Sequence, residues 1–316
     1  KADARSQRRA LTPEELERLL VVARLRPLAE FGRQPQRQNE KKGIGRKGNW
    51  TYQSIRCEDL EECLARARKR LSAHPRLIAS LERAGLERAL IYKTLVLTGL
   101  RKSELASLTL SSLQLDDERP CLMVSAASEK NRQGSELALR PDLAQDIRDW
   151  INNKLRWEQE KKQARGVPDP VIHASLTRLF DVPRGLVKIL DKDLRVAGIA
   201  KKDDRGRSID VHSLRHTFAT LLSKGGVSLR TAQAALRHSD PKLTANVYTD
   251  TRLLDVHGAL RVLPALTIHG DANQAPPAVA LASQLAPPLA PNPDSFVQSV
   301  TREVNESAGD EHTQDE

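Results

Sequence analysis

The sequence predicts a mainly α fold with a small antiparallel β-sheet. Three observations carry that reading. Segments with apolar residues spaced three and four apart dominate the first 262 of the 316 residues. One region has a different pattern: Cys121–Ala127 and Glu136–Arg140 flank the polar stretch Ser128–Ser135, as two strands flank a hairpin turn. No apolar run approaches the roughly 18 residues that a membrane span needs, so no membrane partner is expected.

The first helix is expected over Leu11–Arg24. Thr12 stands at its N-cap, Pro13 at its first position and Glu15 completes a capping box, while Leu16, Leu19, Leu20 and Ala23 share one face. Phe31–Trp50 is rich in Gly, Gln, Arg and Lys and has no period. With its flank it is expected to form an exposed basic loop over residues 31–56, either solvated or lying on phosphates. Helical patterns resume at Cys57–Leu71, at Leu77–Thr98 up to Gly99, and at Ser103–Leu108. After the hairpin, long helices are expected at Pro141–Arg165 and Leu186–Gly198. Ser213–Lys224 reads as a strongly amphipathic helix stopped by Gly225-Gly226, with Leu214, Phe218, Leu221 and Leu222 on its buried side. Shorter helices at Ser228–Leu236, Lys242–Thr249 and Leu253–Val262 complete the body. Residues 266–316 are rich in Ala, Pro and acidic side chains and are expected to be a disordered tail.

Charge narrows the partners. The chain carries +10 overall, yet from Val262 onward there are eight Asp or Glu and one Arg, so the body bears +17. Such a body calls for a polyanionic partner, and nucleic acid is the expectation. Ten aromatic residues argue against a single-strand binder built on base stacking. Cys57, Cys63 and Cys121 are too few and too irregularly spaced for a disulfide framework or zinc cluster, which points to free thiols in a reducing compartment.

Three segments carry chemistry. In Thr98-Gly99-Leu100-Arg101-Lys102-Ser103-Glu104-Leu105, one helix ends as another begins. Arg101 is thereby set beside a helix N-terminus that welcomes an anion, with Glu104 able to orient the guanidinium from behind. In His212-Ser213-Leu214-Arg215-His216-Thr217-Phe218, His212 and Arg215 project to the same side at a helix start, as a phosphate clamp would. His212 and His216 also have the spacing of a zinc-binding helix, but no Glu follows His212 and no third ligand is evident. The third segment runs from Leu236-Arg237-His238 through Asp240-Pro241 to Tyr248-Thr249, with a capped helix that ends near Tyr248.

In order and spacing these segments resemble the tyrosine recombinase (phage integrase) family, and the resemblance spans roughly Leu11 to Arg261. It implies a tyrosine recombinase catalytic-domain fold over residues 1–265. It also implies the roles of the residues. Arg101 and Arg215 would be the two arginines on the phosphate, with His212 beside the second. His238 would fill a position held by His or Trp, and Tyr248 would be the nucleophile. The family's hairpin lysine falls on Lys130, with Arg132 two residues on as the alternative. Two departures stand out: Arg237 replaces the glycine common before the second histidine, and the His238–Tyr248 interval is one residue longer than usual.

The resemblance further implies site-specific recombination of double-stranded DNA through a 3′-phosphotyrosine, with no cofactor and no metal, by a homotetramer. Leu253–Val262 is the candidate for exchange between protomers, and the setting would be cytoplasmic and nucleoid-associated. Because LTPEELERLL stands already at residue 11, the separate N-terminal helical domain of full-length relatives is expected to be missing. The alternatives are a type IB topoisomerase-like enzyme, a DNA-binding module with a decayed site, and a metal-dependent hydrolase at His212 and His216.

Overall fold

The computed structural model describes residues 7–37, 50–115, 118–129, 133–163 and 174–239. The expected helices at Lys242–Thr249 and Leu253–Val262 and the expected tail over 266–316 lie outside the described residues.

Helix α1 (Pro13–Ala29) starts as its sequence dictates. Glu15 N–H donates to Thr12 Oγ1 at 3.2 Å and Thr12 N–H to Glu15 Oε2 at 3.0 Å, closing the capping box. It ends five residues later than expected, with Pro27 in its last turn. Burial of Arg26, Pro27, Leu28 and Ala29 outweighs the hydrogen bond that proline cannot donate.

The expected exposed loop is partly corrected. Phe31 and Gly32 lie in a 3-10 turn over Glu30–Gly32, and β1 (Pro35–Arg37) pairs antiparallel with β2 (Trp50–Tyr52), Pro35 opposite Tyr52 and Arg37 opposite Trp50. Gly32 and Ile55 are buried, whereas Trp50 and Tyr52 are 71% and 57% exposed. Backbone pairing that no side-chain period announces closes this ribbon.

Helices α2 (Leu60–Arg70) and α3 (Pro75–Thr98) follow. α3 is the spine of the domain, packing against α1, α5 (Pro141–Gln163) and α7 (Val211–Lys224). Its crossing with α1 is close: a Cβ on Gly85 would stand 1.9 Å from the Arg24 carbonyl oxygen. α3 ends at Gly99 in the left-handed region (φ +63°), where a Cβ would also meet Phe218 Cδ1 at 2.5 Å.

After the short α4 (Lys102–Ser107), the hairpin forms from β4 (Cys121–Val124) and β5 (Ser135–Ala138), Leu122 opposite Leu137. A third strand that the sequence did not suggest, β3 (Leu113–Gln114), pairs with β4. At two residues it is too short to show a period.

Helix α6 (Leu186–Val196) docks through a buried polar group as well as leucines. Asp193, fully buried, accepts from Arg26 Nε at 2.5 Å and Tyr92 OH at 2.8 Å, so α1, α3 and α6 converge on one carboxylate. Burial and the carboxylate push the Tyr92 phenol well above its usual pKa. Helix α8 (Leu229–Leu236) closes the described chain, capped by Ser228.

The expected sidedness of α7 is corrected. Leu214 is buried, but Phe218, Leu221 and Leu222 are only partly so, while Arg215, His216, Thr217 and Thr220 are buried with it. The helix is surrounded on nearly every side, and its polar groups find partners inside: Thr217 Oγ1 donates to Ser213 O and accepts from Leu11 N–H. No helix among the described residues is long and apolar enough to cross a membrane.

Candidate functional site

The site is assembled at the junction of α3, α4, α7 and α8. Arg101 is the N-cap of α4. Its backbone N–H donates to Glu104 Oε2 at 2.9 Å and its Nη1 to Glu104 Oε1 at 2.5 Å, so one buried carboxylate fixes both ends of the residue. The guanidinium itself stays partly exposed. Hydrogen bonds from Arg101 and Arg237 outweigh the burial that would raise it, and hold the Glu104 carboxyl below its usual pKa.

Arg215 is 1% exposed, the least expected burial among the described residues. Its Nη1 donates to the Gly99 carbonyl and its Nη2 to the Leu236 carbonyl. The side chain thus joins the end of α3, the middle of α7 and the end of α8. The first and third sequence segments meet on this one guanidinium.

His212 occupies the second position of α7, behind the N-cap Asp210, whose Oδ1 accepts from Ser213 N–H at 2.9 Å. Asp210 in turn pairs with Arg8 at 2.9 Å, and the strand-like segment around Arg8 bridges to Ser208. Burial, then the charges of Arg8 and Arg215, lowers the His212 pKa to about 4. His238, 7% exposed, is lowered to about 4 by burial and then by Arg215 and Arg101. Both imidazoles are neutral near pH 7 and each feels the charge of both arginines. Arg101, His212, Arg215 and His238 therefore lie within electrostatic reach of one another.

The turn after α8 is held firmly. His238 N–H donates to Gln233 O at 3.1 Å, and Gln233 Nε2 donates to His238 O at 2.9 Å. Arg237 sits between them at φ +54°, the only described residue other than glycine with positive φ. A side chain there costs on the order of 1–2 kcal/mol, and Arg237 offsets it with ion pairs to Glu104 at 2.8 Å and Glu129 at 3.4 Å.

Lys130, Arg132 and Tyr248 lie outside the described residues, as does Asp240. Glu129, the described residue before Lys130, is buried and accepts from Ser135 Oγ at 2.7 Å. His216 is buried within α7. Among the described residues, no group of three His, Cys, Asp or Glu stands ready to hold a metal ion.

Sequence reasoning missed Arg8, Glu129 and the task of Arg237. Arg8 and Asp210 are 202 residues apart, and no local pattern announces such a pair. Arg237 was visible only as a departure from glycine.

Comparison with known proteins places the chain in a family. The chain is 31% identical over 172 residues to tyrosine recombinase XerD of Lacticaseibacillus casei, covering 52% of this chain and 50% of that protein. It is 32% identical over 176 residues to XerD of Pseudomonas aeruginosa, covering 55% and 53%. The chain spans about half the length of these curated relatives. Among solved structures, the XerA recombinase aligns over 82% of this chain and 67% of its own, with TM-score 0.47 and 16% identity. The catalytic domain of bacteriophage HP1 integrase covers 81% of this chain and 94% of its own, with TM-score 0.40 and 15% identity. The model of the phage integrase family matches residues 70–253, more than half of the chain, and the chain belongs to that family, the tyrosine recombinases.

Proposed function

We propose that this chain performs site-specific DNA recombination by metal-independent cleavage and rejoining through a 3′-phosphotyrosine. The observation that carries the reading is the convergence of Arg101 and Arg215 on two neutral histidines, each guanidinium held by protein oxygens. A phosphodiester is anionic, so it repels nucleophiles, and its alkoxide is a poor leaving group. Two guanidinium groups would neutralise the nonbridging oxygens and bind the pentavalent transition state more tightly than the ground state.

In this reading the Tyr248 phenol oxygen attacks phosphorus and gives its proton to neutral His212. The bond to the 5′ oxygen breaks, and Lys130, or else Arg132, supplies the proton that oxygen needs. His238 donates to a nonbridging oxygen. The phosphoester bond is conserved in the 3′-phosphotyrosine, and a 5′-hydroxyl from another strand reverses the step to seal the new junction.

The partner proposed is double-stranded DNA, held by a homotetramer spanning two sites in the cytoplasm, at the nucleoid. The +17 body supports a DNA partner, as do the exposed ribbon residues Trp50 and Tyr52 and the half-buried Arg33, which lies 5.1 Å over the Tyr52 ring. The test is denaturing electrophoresis of the protein incubated with a nicked duplex carrying its recombination site. A protease-sensitive shifted band is expected from the wild type and none from Tyr248→Phe, which should still shift the duplex in a native gel. Covalent adduct in Tyr248→Phe would remove the nucleophile assignment. Relaxation of one plasmid without exchange between two duplexes would instead favour the topoisomerase alternative.

A further inference from the structure

The ion pairs around Arg237 form a continuous chain through the site. Arg101 Nη1 meets Glu104 Oε1 at 2.5 Å, and Glu104 Oε2 meets Arg237 Nη2 at 2.8 Å. Arg237 Nη1 then reaches Glu129 Oε1 at 3.4 Å, the oxygen that also accepts from Ser135 Oγ at 2.7 Å. Glu104 is 1% exposed and Glu129 5% exposed, so both carboxylates depend on a cation inside the protein. Among the described residues, the cation paired with Glu129 is Arg237.

We propose that Arg237 is a positioning residue that fastens the β4–β5 hairpin to the buttress of Arg101, and so sets the proton donor that follows Glu129 in the chain against the phosphate. The left-handed backbone supports this. Glycine adopts φ +54° without strain, so an arginine held there has to bring a compensating contact, and its fork serves two carboxylates on different elements. Removing the guanidinium would leave the Glu129 carboxylate buried without its cation. The hairpin would then relieve it by swinging toward water, carrying residue 130 away.

This rests on the proposed function for its kinetic arm alone. Arg237→Gly relieves the backbone while cutting the bridge, so a purely structural role predicts a lower melting temperature with cleavage of both substrates below slowed equally or not at all. The proposal predicts a retained fold, with amide hydrogen exchange at least tenfold faster in β4 and β5 and unchanged in α3. It also predicts a cleavage rate at least tenfold lower on an ordinary phosphodiester. On a substrate with sulfur at the 5′ bridging position, whose thiolate leaves without a proton, the deficit should shrink to less than threefold. Glu129→Gln should repeat that pattern.

Unchanged hairpin exchange in Arg237→Gly would overturn the proposal, and so would an equal deficit on both substrates. A wild type that forms no adduct at all would count against the recombinase reading, while the hairpin exchange would still decide the role of Arg237.

Discussion

Arg215 is a catalytic candidate that is also a structural tie. Its guanidinium donates to the Gly99 and Leu236 carbonyls, so substitution removes a charge from the proposed phosphate site and leaves two backbone oxygens short of a donor. Arg101 is partly exposed and shares the buried Glu104 carboxylate with Arg237. The expected outcomes differ accordingly. Arg101→Ala should slow cleavage by roughly 10²–10³, about 3–4 kcal/mol in barrier, with a smaller loss of stability than Arg215→Ala because Arg237 still pairs Glu104. Arg215→Ala should slow it at least as much and also remove about 1–3 kcal/mol of stability, read by urea unfolding beside the cleavage assay. Arg101, His212, Arg215 and His238 were legible because residue type and spacing survive in one dimension. The depth of Arg215 was not, because a buried arginine needs acceptors that only tertiary structure supplies, here from positions 116 and 21 residues away. The same holds for Asp193, whose cation and phenol come from two other helices.

Elements with local signals were the readable ones. The Thr12–Glu15 capping box, the Gly99 stop and the Ser228 cap each rest on interactions within a few residues, so α1, α3 and α8 begin or end within two residues of expectation at those points. β3 and the β1–β2 ribbon had no such signal: their pairing joins residues with no periodic side chains, and the ribbon reads as loop until its strands are placed opposite each other. Gly85 likewise looked like an ordinary helical residue. Gly85→Ala would drive a methyl into the Arg24 carbonyl, and we expect about 1–3 kcal/mol of destabilisation in chemical denaturation, with α1 and α3 forced apart. The ribbon admits an independent measurement. Replacing Arg33 with Gln should reduce the slope of log affinity against log salt by about 0.9 for each phosphate that this arginine neutralises, and leave the rate of cleavage at saturating DNA unchanged. An unaltered slope would mean that the ribbon is only solvated.

For the molecule as a whole, the two histidines couple acid stability to occupancy of the site. His212 and His238 fall from an ordinary 6.5 to about 4 in the folded chain, so the unfolded chain binds more protons between those values. Their contribution is fully present above about pH 6.5 and is lost as the pH falls toward 4. The melting temperature should drop across that window. A duplex whose phosphate screens Arg101 and Arg215 should raise both imidazole pKa values and reduce the drop, measurable by differential scanning fluorimetry with and without DNA. An identical acid profile in both conditions would show that no phosphate reaches the pair. The tie made by Arg215 has one more consequence, for the fate of gene copies. A lineage that no longer needed strand transfer could not discard this arginine cheaply, because three helices would loosen with it. Retired copies should therefore be silenced first at less embedded positions, and the presence of Arg215 in a related sequence is poor testimony that the sequence still cuts DNA.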